Sequence, residues 1–181
     1  MRKRLALALS VASAATMVAV AVPADAGQGV TFTLTAGALS VSDPADKSLG
    51  SVSTGTASIT STLGNTSVAD NRGALLGTWT SSVSSTDFTT GGGTADEIIG
   101  KANVSYYSGI ATSSTGTAVR VPGQATALNA QDLSVSRTAF SATGVVGNNA
   151  TTWVPTVVVS IPSDSVAGQY SGTITHSVSG A

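Results

Sequence analysis

Thr152-Trp-Val-Pro-Thr-Val-Val-Val-Ser-Ile-Pro162, followed a few residues later by Gly168-Gln-Tyr-Ser-Gly-Thr-Ile-Thr-His-Ser-Val178, decides how this chain is read. The tract has the pattern of two strands joined by a short turn-rich loop. Side chains alternate between the two faces of a strand. In the second run this puts Tyr170, Gly172, Ile174, His176 and Val178 on one face, and Ser171, Thr173, Thr175 and Ser177 on the other. The first face suits a core and the second suits water.

The same alternation recurs upstream. Val30, Phe32 and Leu34 alternate with threonines, Ala57, Ile59 and Leu63 share a parity, and Leu75, Gly77, Trp79 and Val83 fall on one face. Residues 39–42, 103–108, 117–122, 133–138 and 153–161 read as further strands. Turn chemistry punctuates them at 42–46, 70–73, 91–94, 121–123 and 147–149. Residues 89–101 read as a loop or a very short helix, and 123–131 as a long connection. Many short strands at this spacing predict an all-β, single-domain antiparallel β-sandwich or barrel.

Residues 1–26 have the form of a cleaved secretory signal peptide. Arg2, Lys3 and Arg4 precede an uncharged apolar run from Leu5 to Val22, and Pro23-Ala-Asp-Ala26 offers a small-x-small cleavage site. The expected mature domain, residues 27–181, keeps five basic residues against eight acidic ones, a net charge of −3. It has no basic patch for nucleic acid or an anionic membrane surface, and no later run of the length that crosses a bilayer. With no cysteine in the chain, an exported domain must rely on its core without disulfide staples.

Little in the composition points to a reaction. The carboxylates at Asp43, Asp46, Asp70, Asp96, Glu97 and Asp164 fall mainly in turns, and no serine sits in Gly-x-Ser-x-Gly. His176 is the only histidine, so neither a catalytic triad nor a soft-ligand metal site can be assembled around it. It reads as a partly buried, hydrogen-bonded side chain filling an inward slot. The expectation is therefore a non-enzymatic protein without cofactor or metal. Asp70-Asn-Arg-Gly73 reads as a firm turn ahead of the Trp79 strand, with Arg72 paired to a carboxylate or free to recognise an acidic group. Trp79, by parity a core residue, and Trp153, at a strand start, are the aromatic candidates for ligand contact.

Val68-Ala-Asp-Asn-Arg-Gly73 followed by Trp79-Thr-Ser81, and the later Tyr170-Ser-Gly-Thr-Ile-Thr-His-Ser-Val178, resemble the WxL domain of Gram-positive surface proteins. That family has a Val-x-Asp-x-Arg-Gly turn leading into a first Trp-x-Leu, and a near-terminal Tyr-x-x-x-Leu-Thr-Trp-x-Leu. Gly73, Tyr170, Thr175 and His176 stand at matching motif positions, with Ser81 in place of an aliphatic residue and His176 in place of the second tryptophan. The segment 32–50 is similar too. The resemblance implies noncovalent attachment to cell-wall peptidoglycan by a secreted surface module, with Trp79, Trp153, Arg72 and Asp70 as contact candidates. The alternative partner is another surface protein, bound through a sheet face or an edge strand, and Val157-Val-Val159 would serve if its strand were an edge.

Overall fold

The structure, a computed structural model, describes residues 28–181. The signal-peptide reading of 1–26 lies outside the described residues. Contacts gather Thr35–Ala181 into one compact unit. Residues 28–34 lie outside that unit and form no strand, so the strand expected at Val30, Phe32 and Leu34 is absent there.

Among the described residues eleven strands carry the fold: β1 (Leu39–Ser42), β2 (Ser58–Thr62), β3 (Thr66–Ser85), β4 (Phe88–Thr89), β5 (Ile98–Ile99), β6 (Val104–Tyr107), β7 (Ala111–Pro122), β8 (Gln131–Asp132), β9 (Arg137–Trp153), β10 (Thr156–Ser160) and β11 (Ile174–Gly180). Every pairing between them is antiparallel. One sheet runs β1-β3-β9-β7, with β11 also paired to β3. A second runs β2-β10-β6-β8, and β4 with β5 forms a small ribbon. The two larger sheets pack as an open sandwich, not a closed barrel.

Alternation explains which side chains fill the space between them. Val68, Trp79, Val83, Phe140, Val145 and Trp153 project inward from the first sheet, and Val104, Tyr106, Val157 and Val159 from the second. Burying each large apolar side chain contributes about 1.5–3 kcal/mol, and a chain without cysteine has no disulfide to add to it.

Three strand readings are corrected by the topology, at 153–161, 133–138 and 170–178, and it settles where each run sits, which the sequence left open. The two runs of the opening tract lie in different sheets. Pro155 brings no amide hydrogen to a ladder, and the chain passes there from β9 in the first sheet to β10 in the second. Val157-Val-Val159 is interior, because β10 pairs with β2 on one side and β6 on the other. The strand expected at 133–138 is broken by a turn in which the Asp132 carboxylate accepts the Ser134 amide at 3.0 Å, and β9 starts only at Arg137. Tyr170 and Gly172 precede β11 and are not part of it. The Tyr170 hydroxyl instead shares its one hydrogen between the backbone carbonyls of Asp96 and Val166, at 3.1 and 3.0 Å.

Residues 89–101 hold β5 and a single 3-10 turn, Ala95–Glu97, a second, Lys101–Asn103, begins at their end, and Ala127–Asn129 adds a third within the long connection. Glu97 is a cap: its carboxylate accepts the Thr94 amide at 2.9 Å and the Thr94 hydroxyl at 2.8 Å.

The expected parity of Leu75 with Trp79 fails for a reason visible in the register. The β3–β9 ladder slips between Asp70 and Ala74, between Leu75 and Gly77, and between Gly77 and Trp79. The β9–β7 ladder slips on both sides of Thr117. Gly73 and Leu76 on β3, Gly144 and Gly147 on β9 and Gly116 on β7 all have positive φ. Leu75, Val146 and Thr117 are cross-strand neighbours, so these bulges line up across three strands. Aligned bulges bend and twist a sheet locally. The crease keeps Gly77, Trp79 and Val83 inward and leaves Leu75 and Leu76 in solvent. The expected turn at Asp70–Gly73 is therefore an in-strand bulge within the twenty residues of β3.

Candidate functional site

Two arrangements on this framework gather the residues singled out by the sequence. The first is a buried polar network behind β11. Trp153 Nε1 lies 3.3 Å from the Tyr106 hydroxyl, which lies 3.0 Å from His176 Nε2, and His176 Nδ1 lies 3.0 Å from the Asp43 carboxylate. Thr66 Oγ1 donates to the other side of that carboxylate at 2.7 Å. An indole can only donate and an ionised carboxylate can only accept. Trp153 therefore donates to Tyr106 and His176 Nδ1 donates to Asp43, and with a neutral imidazole the Tyr106 hydroxyl donates to His176 Nε2.

Electrostatics match this order. Burial pushes the Asp43 carboxyl up, but the hydrogen bonds from His176 and Thr66 outweigh it and hold its pKa below the ordinary value. Burial pushes the Tyr106 hydroxyl well above its ordinary value, opposed by the Trp153 hydrogen bond and reinforced by the negative charge of Asp43. An aspartate, a histidine and a hydroxyl in line have the order of a nucleophile-activating relay. Here the hydroxyl is buried and aimed at the imidazole. What the chain of bonds does is fasten the sheets, since it joins β6 of one to β9 and β11 of the other and pins the segment after β1. His176 thus occupies the inward, hydrogen-bonded slot expected for it, and Thr175 faces solvent beside it, paired to Ser84.

Trp153 and Trp79 are both corrected as surface contacts. Trp153 ends β9, fully buried, stacked on Phe140 with ring centroids 5.0 Å apart and edge-on to His176 at 6.1 Å. Trp79 is buried, and its Nε1 donates to Asn149 Oδ1 at 3.1 Å.

The second arrangement is the crease. Asp70 is buried, and it accepts the Arg72 amide at 3.1 Å, Nε at 2.9 Å and Nη2 at 2.9 Å. Arg72 Nη2 also donates to the Thr78 carbonyl at 2.9 Å, bridging the bulge from end to end. The guanidinium holds the Asp70 carboxyl below its usual range against the opposing effect of burial. Arg72 therefore clamps its own strand, and Gly73 supplies a positive φ of 66° inside the clamp. The acidic-group recognition considered for Arg72, and the ligand contact considered for Asp70, give way to this structural use.

What the clamp holds in place is an exposed aliphatic ridge. Leu75 is 81% exposed and Leu76 73%, and Val146, Val119 and Val121 are exposed on the same outward side of the sheet. Leu76 has φ 60°, the one positive φ at a residue other than glycine among the described residues. A leucine in the left-handed region costs about 1–2 kcal/mol. Strain of this kind clusters at functional positions. Sequence reading missed this ridge because parity assigned Leu75 to the core. The signal was present in the glycines at 73, 77, 116, 144 and 147, since isolated glycines inside strand patterns mark bulges.

Among the described residues, no group of three or more His, Asp or Glu side chains is placed to hold a metal ion. No protein family, curated protein or solved structure matches this chain.

Proposed function

We propose that this chain is a secreted, non-enzymatic module of the cell envelope that binds another surface protein through the outer face of its five-stranded sheet. The observation that carries the reading is the ridge of Leu75 and Leu76, backed by Val146, Val119 and Val121. Exposed aliphatic residues grouped in this way mark protein-contact surfaces, and a strained leucine held out by an arginine clamp has no packing reason to be there. A cell-surface address follows from the leader and from the resemblance to WxL domains. Peptidoglycan binding through tryptophan stacking is the weaker reading, since both indoles lie in the core.

The test is retention on Gram-positive cell walls that keep their proteins, beside the same walls stripped by protease. Wild type is compared with a Leu75→Ser/Leu76→Ser double variant. The expected result is retention on protein-bearing walls, lost on stripping and weakened at least about tenfold in the variant, as for removal of more than about 1.4 kcal/mol of contact energy. Equal retention of both proteins on stripped walls would return the module to peptidoglycan.

A further inference from the structure

The strongest unspent feature is a mismatch between two parts of the molecule. Val30-Thr-Phe-Thr-Leu-Thr35 has strict alternation, β-branched or aromatic residues at most positions and no charge, which is strong strand chemistry. Among the described residues it nevertheless has no strand partner, and Val30, Phe32 and Leu34 are 85%, 90% and 87% exposed. In the compact unit, β2 is hydrogen-bonded to β10 along one side, and its other side has no strand neighbour among the described residues. Beside it opens a groove of about 890 Å³ that reaches the core residues Ile99 and Val159 and is flanked by Ile59, Phe88 and Ile161. Residues 46–52 also line it. Their one side-chain hydrogen bond is local, from the Gly50 amide to Ser48 Oγ, so this wall can be displaced without breaking a ladder.

We propose that a second copy of this chain lays its residues 30–35 along the free side of β2, with Val30, Phe32 and Leu34 entering the groove. The dimensions agree. Five residues of β2 extend about 17 Å, and alternate side chains of an added strand recur about every 6.8 Å, so three apolar side chains fit along that length. Neither strand carries a charge, since β2 reads Ser-Ile-Thr-Ser-Thr, and pairing like copies brings no repulsion at the contact. The area is adequate too. Three apolar side chains of roughly 100–150 Å² each, counted on donor and acceptor and doubled by reciprocal exchange, approach the roughly 1,600 Å² of a standard stable interface. One-way donation by the same contact would build an open chain of copies. The backbone of the added strand supplies the affinity and the groove selects alternate apolar side chains. Leu75 and Leu76 take no part, so this contact stands or falls apart from the sheet-face reading.

The test uses the full chain purified from the medium of a secreting host, followed by sedimentation velocity from micromolar to millimolar concentration. Wild type is expected to associate with rising concentration, and Phe32→Asp, altering an exposed side chain, to stay monomeric. A synthetic peptide of residues 28–36 is then added to the Phe32→Asp protein under hydrogen exchange. Slowed exchange in residues 58–62, absent with a peptide carrying the same substitution, is the expected result. Three outcomes overturn the proposal: association that survives Phe32→Asp, protection elsewhere than β2, or a wild type that stays monomeric at every concentration. In the last case, protection of 58–62 by the peptide would show that the strand docks within its own chain.

Discussion

Leu76 shows how one side chain can stand against its own backbone. Its φ of 60° lies where only glycine is at ease, and its side chain is too exposed to repay the strain through burial. Leu76→Gly should therefore relieve about 1–2 kcal/mol of strain while losing about 0.5–1 kcal/mol to the greater freedom of the unfolded chain. The expected net gain is about 0.5–1 kcal/mol, read as a raised urea midpoint at unchanged slope. A lowered midpoint would mean that the leucine makes stabilising contacts and is not held ready for a partner. Trp79 stands at the opposite extreme. Its burial and its bond to Asn149 make it a core residue, so truncating it reports on folding and says nothing of ligand contact.

At the scale of elements, the crease depends on three strands bulging together. Gly116 carries the outermost bulge, with φ 70°, and a Cβ there would run into the Asn148 carbonyl of β9. Gly116→Ala should cost about 2–4 kcal/mol, combining the left-handed penalty with a clash against backbone that cannot rotate away. Chemical denaturation measures that cost, and a change under about 0.5 kcal/mol would show that β7 can slip its register freely. Arg120 reinforces the same bulge, donating from Nε to Thr151 Oγ1 at 2.7 Å and from Nη1 and Nη2 to the carbonyls of Ala118, Thr115 and Gly116. Two arginines thus brace one crease, Arg72 on β3 and Arg120 on β7, each bonded within its own strand or to its neighbour.

For the whole molecule, the buried network and the clamped Asp70 set limits on stability at both ends of the pH scale. Asp43 and Asp70 have folded pKa values below their unfolded ones. Their contribution is present above the unfolded carboxylate range near pH 4 and is lost as pH falls through the lower folded values. Tyr106 has a folded pKa above its unfolded one. Its contribution is complete below about pH 10 and declines as pH rises beyond it, because the unfolded chain then ionises first. Melting temperature followed across the pH range should show a plateau with an acid limb below about pH 4 and an alkaline limb above about pH 10. Tyr106→Phe leaves the Trp153 N–H and His176 Nε2 buried without their partner, so the plateau should fall by about 1–3 kcal/mol and the alkaline limb should flatten. An alkaline limb equally steep in that variant would remove Tyr106 from the account.

Periodicity alone determined the all-β class, most of the strands, the interior position of His176 and the core parity of Trp79, because alternation is a local property that each strand shows by itself. In Asp70-Asn-Arg-Gly73 the sequence suggested a turn, which is an in-strand bulge, and an Arg–carboxylate pair as one of two uses of Arg72, which is the one formed. What only the tertiary structure decided is where neighbours fall. The central place of β10, the partners of Tyr106 and Asp43, and the burial of Trp153 each depend on residues tens of positions away in the chain. The exposed ridge depends on register as well: one extra residue in a strand reverses every side chain beyond it. Leu75 and Trp79 share a parity in the sequence, yet the extra residue of β3 at the slip between Leu75 and Gly77 leaves the leucine in water and the tryptophan in the core.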